Sequence, residues 1–249
     1  MSWLREYGER AAATRHIVCF PHGGGSAFVY RDWTSDAPDV QVHGVQYPGR
    51  GDRFTEPLLQ DVRTMAREAA ADVVPLTSGP VCLFGHSLGA YVAYETALFL
   101  QAAGHNVSAL FVSGARAPHD PARWKGSWAD LEGEALLGLV AGLGGTEAEL
   151  LEDEDLRRVL LPILRTDFRA AEGYRAEPAA ALGCPVVALC GSGDAVTDPR
   201  DALMWSEYTR GGFASHTFAG GHFFPHGESR ADVISMLMDH LGDRTEHGH

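Results

Sequence analysis

Residues 81–104 read VCLFGHSLGAYVAYETALFLQAAG, and the reading of the fold starts from this stretch. A short apolar run, VCLF, has the length and composition of a strand buried on both faces. It runs into Gly85-His86-Ser87-Leu88-Gly89, and from there into a mostly apolar helical segment over 88–103, stopped by Gly104. A serine on so tight a strand-to-helix turn is held in strained backbone, its oxygen thrust above the sheet edge. The peptide N–H that follows it is left free to bind an anion. The bare pattern is cheap in a chain with 29 glycines; its placement between an apolar strand and an apolar helix is what gives it meaning.

Working outward, similar short runs recur at 16–20 (HIVCF), 40–46 (VQVHGVQ), 108–113 (SALFVS), 186–190 (VVALC) and 214–219 (ASHTFA). Helical patterns alternate with them. Val62, Met65, Ala69, Val73 and Leu76 step by three and four, and Val233, Ile234, Leu237, Met238 and Leu241 mark a C-terminal helix. Such alternation predicts a mostly parallel sheet flanked by helices. One interval is too long. About 70 residues separate the runs at 108–113 and 186–190, where a crossover needs about a dozen. Leu131, Ala135, Leu136, Leu139 and Val140 form one helical stripe there. Leu156, Val159, Leu160, Ile163, Leu164 and Phe168 form another, with Gly142-Leu143-Gly144-Gly145 as the joint. The expectation is a core of residues 1–115 and 177–249 with a helical lid, 116–176, inserted in it.

Serine needs a base, and the base needs an orienting carboxylate. In this architecture they follow in the order Ser, acid, His, each after a strand. Asp194 in Gly191-Ser192-Gly193-Asp194 follows VVALC, and His222 in Gly220-Gly221-His222 follows ASHTFA. Asp198 is the alternative acid, although its position before Pro199 also suits a helix cap. His226, four residues past His222, is the rival base; the glycine pair before His222 suits a turn that aims one imidazole. His86 is read as packing beside the elbow. The oxyanion donors are expected to be the N–H groups of Leu88 and of Gly23, the latter in FPHGGGS after the first run. That glycine run lacks both GxGxxG spacing and a Walker lysine, so nucleotide binding is not indicated.

Composition narrows the partners. The 249-residue chain carries 20 Lys+Arg against 33 Asp+Glu, a net −13, which disfavours nucleic acid and anionic membrane surfaces. No apolar run approaches the roughly 20 residues of a membrane helix, and MSWLREYGERAAATRH lacks the features of an export signal, so a cytoplasmic location is expected. Cys19, Cys82 and Cys190 sit inside apolar runs and Cys184 precedes Pro185. Without a CxxC pair or zinc-finger spacing, neither a metal nor a disulfide is expected.

Taken together, FPHGGGSA, YPGRGDR, GHSLGA, SGARAP, DFRAAEGY, GSGD and GGHFF, in this order over residues 14–242, resemble the type II thioesterases of polyketide synthase and nonribosomal peptide synthetase pathways. The resemblance implies an α/β-hydrolase fold and hydrolysis of acyl thioesters on the phosphopantetheine arm of an acyl or peptidyl carrier protein. It implies no cofactor, and a monomer is expected. By motif, Ser87 matches the nucleophile, His222 the base, Asp194 the acid, and Gly23 and Leu88 the oxyanion donors. The lid would cover an acyl pocket, with Leu160 and Phe168 as candidate lining residues. Two departures stand out: Gly23 replaces a common alanine, and GSGDAVTDP replaces GDxDP, which keeps Asp198 open as the acid. The other readings are a carboxylesterase of the same fold acting on small esters and a non-catalytic binding scaffold.

Overall fold

The computed structural model describes residues 2–8, 13–119, 126–145, 153–177 and 180–242. Seven strands form one sheet: β1 (Leu4–Tyr7), β2 (His16–Phe20), β3 (Gln41–Val45), β4 (Val81–His86), β5 (Ala109–Ser113), β6 (Val186–Gly191) and β7 (Phe213–Phe218). Their order is β1-β3-β2-β4-β5-β6-β7, parallel except for β1, which pairs antiparallel with β3. This is the mostly parallel sheet expected. The edge strand β1 is the element that patterning misses: LREY has two charges, lies half-exposed, and takes its order from pairing with β3 some 40 residues away.

The interior strands β3, β4, β5 and β6 are buried at every position, because helices cover both faces. On one face α1 (Val62–Val73) and α2 (Leu88–Ala102) pack on the sheet, and their core reaches Val18, Leu83, Tyr94 and Trp205. On the other, α6 (Arg230–Gly242) closes a second core of Ile17, Trp33, Phe84, Phe111 and Leu237. α2 is apolar nearly all round because it lies between the sheet and α1. Trp33 and Trp205 are almost wholly buried; truncating either to alanine is expected to cost about 3–5 kcal/mol.

Between β5 and β6 lie α3 (Gly133–Leu143) and α4 (Glu154–Gly173). They share a small core of their own, Leu136, Leu137, Val140, Leu164 and Phe168, with Trp128 and Leu160 against it. Gly144 caps α3 with a left-handed backbone. The buried stripe differs in detail from the pattern: Leu137 is buried where Ala135 is exposed, and Val159 faces solvent.

Strand order decides where a site can form. From β2 the chain moves outward to β3, then returns to place β4 on the other side of β2, so the loops after β2 and β4 part at adjacent strand ends. In open α/β sheets such a switch point is the natural crevice. The Gly23 loop and the Ser87 turn are these two loops.

Candidate active site

Ser87 has φ 55° and ψ −118°, and among the described residues no other non-glycine side chain adopts positive φ. Such a conformation costs on the order of 1–3 kcal/mol and persists only where its surroundings enforce it. Here the Ser87 N–H donates to Ser113 O on the neighbouring strand at 2.8 Å, while its own carbonyl accepts from Ala90 N at 3.0 Å as α2 begins. Close approach fixes the second glycine of the motif: a Cβ on Gly89 would lie 2.0 Å from the Phe20 carbonyl oxygen. The elbow is thus pressed against the end of β2, where the Gly23 loop starts.

Asp194 and His222 leave the adjacent strands β6 and β7 and meet. His222 Nδ1 lies 3.0 and 3.1 Å from the two carboxylate oxygens, and Val196 N donates to the same carboxylate at 2.7 Å. The carboxylate is fully buried and the imidazole nearly so. An anionic acceptor at Nδ1 assigns the proton there and leaves Nε2 to act as a base. From β7 the imidazole leans across the end of β5 toward β4. Gly114, with φ +57°, makes room: a Cβ there would sit 2.7 Å from His86 Cε1 and 3.0 Å from His222 Cε1. Gly114 also lines the cavity that Ser87 opens into.

Asp198 stands elsewhere. Its carboxylate caps the short helix α5 (Pro199–Ala202), accepting from Arg200 N at 2.8 Å and from the Arg200 guanidinium at 2.9 and 3.1 Å. Those hydrogen bonds lower its pKa to about 2. His226 is also away from Asp194, among Tyr30, Trp33 and His86, and burial lowers its pKa to about 4. His86 is completely buried behind His222, its ring centroid 4.8 Å away and its Nδ1 3.1 Å from Ser113 Oγ. Burial holds His86 and the neighbouring His22 neutral, well below the usual histidine range. Burial also raises the thiols, Cys190 to about 12 and Cys184 to about 11, so neither ionises near neutrality.

One cavity is lined by Ser87, Leu88 and Gly23, with Tyr91, Trp128 and Phe168 among its walls. Leu88 is the first residue of α2, where a helix leaves its N–H unpaired. Among the described residues the Gly23 N–H also lacks a partner. Two residues with unpaired N–H groups therefore line the same cavity as Ser87, and unpaired N–H donors are what an oxyanion requires. A methyl group on Gly23 would meet nothing nearer than 3.4 Å, so alanine fits there too. This space measures only ≈20 Å³, about one water molecule. Across the Gly23 loop a second cavity of ≈180 Å³ is bordered by His22, Val140, Leu160, Leu164 and Phe223. Phe168 thus belongs to the Ser87 cavity and Leu160 to the other.

Residues 15–241 match the family model described as the thioesterase domain. The chain belongs to the thioesterase family. Members are hydrolases, and the fold neighbours of this thioesterase share its α/β-hydrolase architecture. It is 38% identical over 243 residues to thioesterase PikA5 of Streptomyces venezuelae, covering 96% of this chain and 85% of that protein. The solved type II thioesterase BorB of the borrelidin biosynthetic cluster is 40% identical with a TM-score of 0.86, over 97% of this chain and 99% of that one. RedJ, the thioesterase of the prodiginine pathway in Streptomyces coelicolor, is 36% identical with a TM-score of 0.85, over 95% and 89% of the two chains. Among the described residues of this thioesterase no helix is long and apolar enough to cross a membrane.

Sequence reasoning passed over two residues next to the site. Arg50 and Asp167 form a buried pair behind the Gly23 loop. The available signal was Asp167 itself, a charge three residues past Leu164 and four past Ile163, on the face of α4 that should be apolar.

Proposed function

We propose that this thioesterase hydrolyses acyl thioesters carried on the phosphopantetheine arm of acyl or peptidyl carrier proteins, as a type II enzyme of polyketide or nonribosomal peptide assembly. Ser87 Oγ attacks the acyl carbonyl while His222 Nε2 takes its proton, and Asp194 holds the imidazole in the required tautomer. The N–H groups of Gly23 and Leu88 stabilise the oxyanion. The thioester C–S bond breaks, His222 returns the proton to the departing thiol, and an acyl-Ser87 ester remains. Water, deprotonated by His222, releases the acid and restores the serine.

The observation that carries this reading is the single cavity bordered by Ser87, Leu88 and Gly23, whose walls also include Gly114, packed against His222, and Val196, whose N–H donates to Asp194. The segment 116–176, of which 120–125 and 146–152 lie outside the described residues, acts as a lid in this scheme, because about one water's volume beside Ser87 cannot hold an acyl chain until Phe168 and Trp128 yield. The test is mass spectrometry of carrier proteins loaded with acyl groups of varied length, incubated with the wild type and with Ser87→Ala, alongside simple oxoesters at equal concentration. The expected result is loss of acyl groups from the carrier, faster than oxoester cleavage, and a fall in kcat of about 10⁴–10⁶ for Ser87→Ala with folding intact. Faster turnover of free oxoesters than of carrier thioesters would instead identify a carboxylesterase.

A further inference from the structure

The Gly23 loop is held from behind by a charge on α4. Asp167 is completely buried, and its Oδ2 accepts from Gly24 N at 2.7 Å. The same carboxylate receives both ends of the Arg50 guanidinium, Nη1 at 2.5 Å and Nη2 at 2.9 Å. Arg50 is itself fixed: its carbonyl accepts from Gln46 Nε2 at 2.8 Å, and its guanidinium lies 5.3 Å from the Tyr47 ring centroid. Tyr47 donates its hydroxyl to Pro21 O, at the start of the same loop. Gly24 has φ +82°, and a Cβ there would run into Leu164 of α4 at 2.6 Å. The loop therefore lies against α4, with one peptide N–H spent on Asp167 and the preceding one, that of Gly23, unpaired among the described residues and carried by a residue that lines the Ser87 cavity.

We propose that Asp167 is a positioning residue for the oxyanion hole, and that Arg50 is the counter-ion that keeps its carboxylate aimed. By taking the Gly24 N–H, the carboxylate fixes the loop conformation in which Gly23 N–H borders the Ser87 cavity. Without that anchor the glycine loop has many conformations of similar energy, and few of them present the donor. Asp167 adjoins Phe168, so the donor is complete only when α4 is seated. The proposal rests on the hydrolytic reading above and adds to it a dependence of transition-state stabilisation on α4.

The test uses two variants, because removing one member of a buried ion pair can cost the fold. Asp167→Asn is isosteric. The double variant Arg50→Met/Asp167→Leu replaces the pair by apolar side chains, which buried sites often tolerate. Three quantities are read: amide exchange at Gly24, the steady-state constants on an acyl-pantetheine thioester, and affinity for a trifluoromethyl ketone of the same acyl chain. Ser87 Oγ adds to that ketone's carbonyl, its proton passing to His222 and the carbonyl electron pair to oxygen, giving an anionic hemiketal. In the double variant the Gly24 amide is expected to exchange freely. Its kcat and ketone affinity are expected to fall together by about 10²-fold, with KM and the pH midpoint of kcat/KM unchanged. Asp167→Asn, which keeps an acceptor, is expected to fall between it and wild type. Wild-type kcat and ketone affinity in the double variant would overturn the proposal, as would a loss expressed in KM alone or a Gly24 amide that is unprotected in the wild type. A wild type inert toward every acyl thioester would defeat the functional reading instead; Gly24 exchange would still decide whether Asp167 holds the loop.

Discussion

Two carboxylates, Asp194 and Asp198, lie four residues apart after β6, and their surroundings give them different work. Asp194 has exchanged water for an imidazole N–H and the Val196 N–H; Asp198 is partly exposed and engaged with Arg200 at a helix start. Replacing a buried orienting carboxylate by its amide leaves the shape but spoils the histidine tautomer, a loss of about 10⁴ in kcat in the best-studied serine hydrolases. Asp194→Asn is therefore expected to lower kcat by about 10³–10⁴, whereas Asp198→Asn should change kcat less than about threefold. Parallel steady-state kinetics on the two variants decide it; comparable losses would mean that the acid has been misassigned. Sequence left this choice open because spacing alone cannot say which carboxylate faces the imidazole. Ser87 and His222 were easier to nominate, since the glycine turns beside them are written in neighbouring letters.

Among the elements, α4 has two differently anchored halves. Its C-terminal half is bound to the core through Asp167, and Glu172 ties it to the start of the inserted segment, accepting from Trp128 N at 2.6 Å and from Ser127 Oγ at 2.8 Å. Tyr174, just beyond its end, donates to Glu95 at 2.7 Å. Its N-terminal half passes Pro162, which has no N–H to give the helix, and carries Leu160 along the second cavity. The helical stripe was visible from the three- and four-residue steps of its leucines. The division was not, because it depends on Arg50 and Glu95, brought to α4 by the sheet. Placing a charge at each site should separate the two cavities. Phe168→Glu, beside Ser87, is expected to lower turnover of short and long acyl thioesters alike, by tenfold or more. Leu160→Glu should spare a minimal acetyl thioester and penalise long chains. kcat/KM across an acyl-length series is the measurement, and identical profiles for the two variants would refute the separation.

For the whole molecule, folding brings together histidines from three distant segments. His22 follows β2, His86 ends β4 and His226 follows β7, and their ring centroids lie 5.8–6.0 Å apart, with His222 4.8 Å from His86. One buried ring nitrogen on each of the three has no hydrogen-bond partner among the described residues: His22 Nδ1, His86 Nε2 and His226 Nε2. Nothing in the sequence announces this cluster, since each histidine sits in a different motif and only the sheet order makes them neighbours. Desolvation dominates the lowering of all three pKa values; nearby histidines reinforce it, as do Arg50 at His22 and Arg230 at His226. The sign follows from linkage. In the unfolded chain these rings protonate near pH 6.5, whereas in the folded one His226 does so only near 4 and the other two well below the ordinary value. As pH falls through that window the unfolded state binds more protons, so stability is greatest above about 6.5 and declines toward 4. Each ring adds about 1.4 kcal/mol per pH unit once protonated in the unfolded state, against a total stability of only about 5–15 kcal/mol for a typical domain. Urea midpoints should therefore drop steeply between pH 6.5 and 4.5, and His226→Gln should make that drop shallower. A midpoint independent of pH across this range would mean that the three rings are not held neutral by the fold.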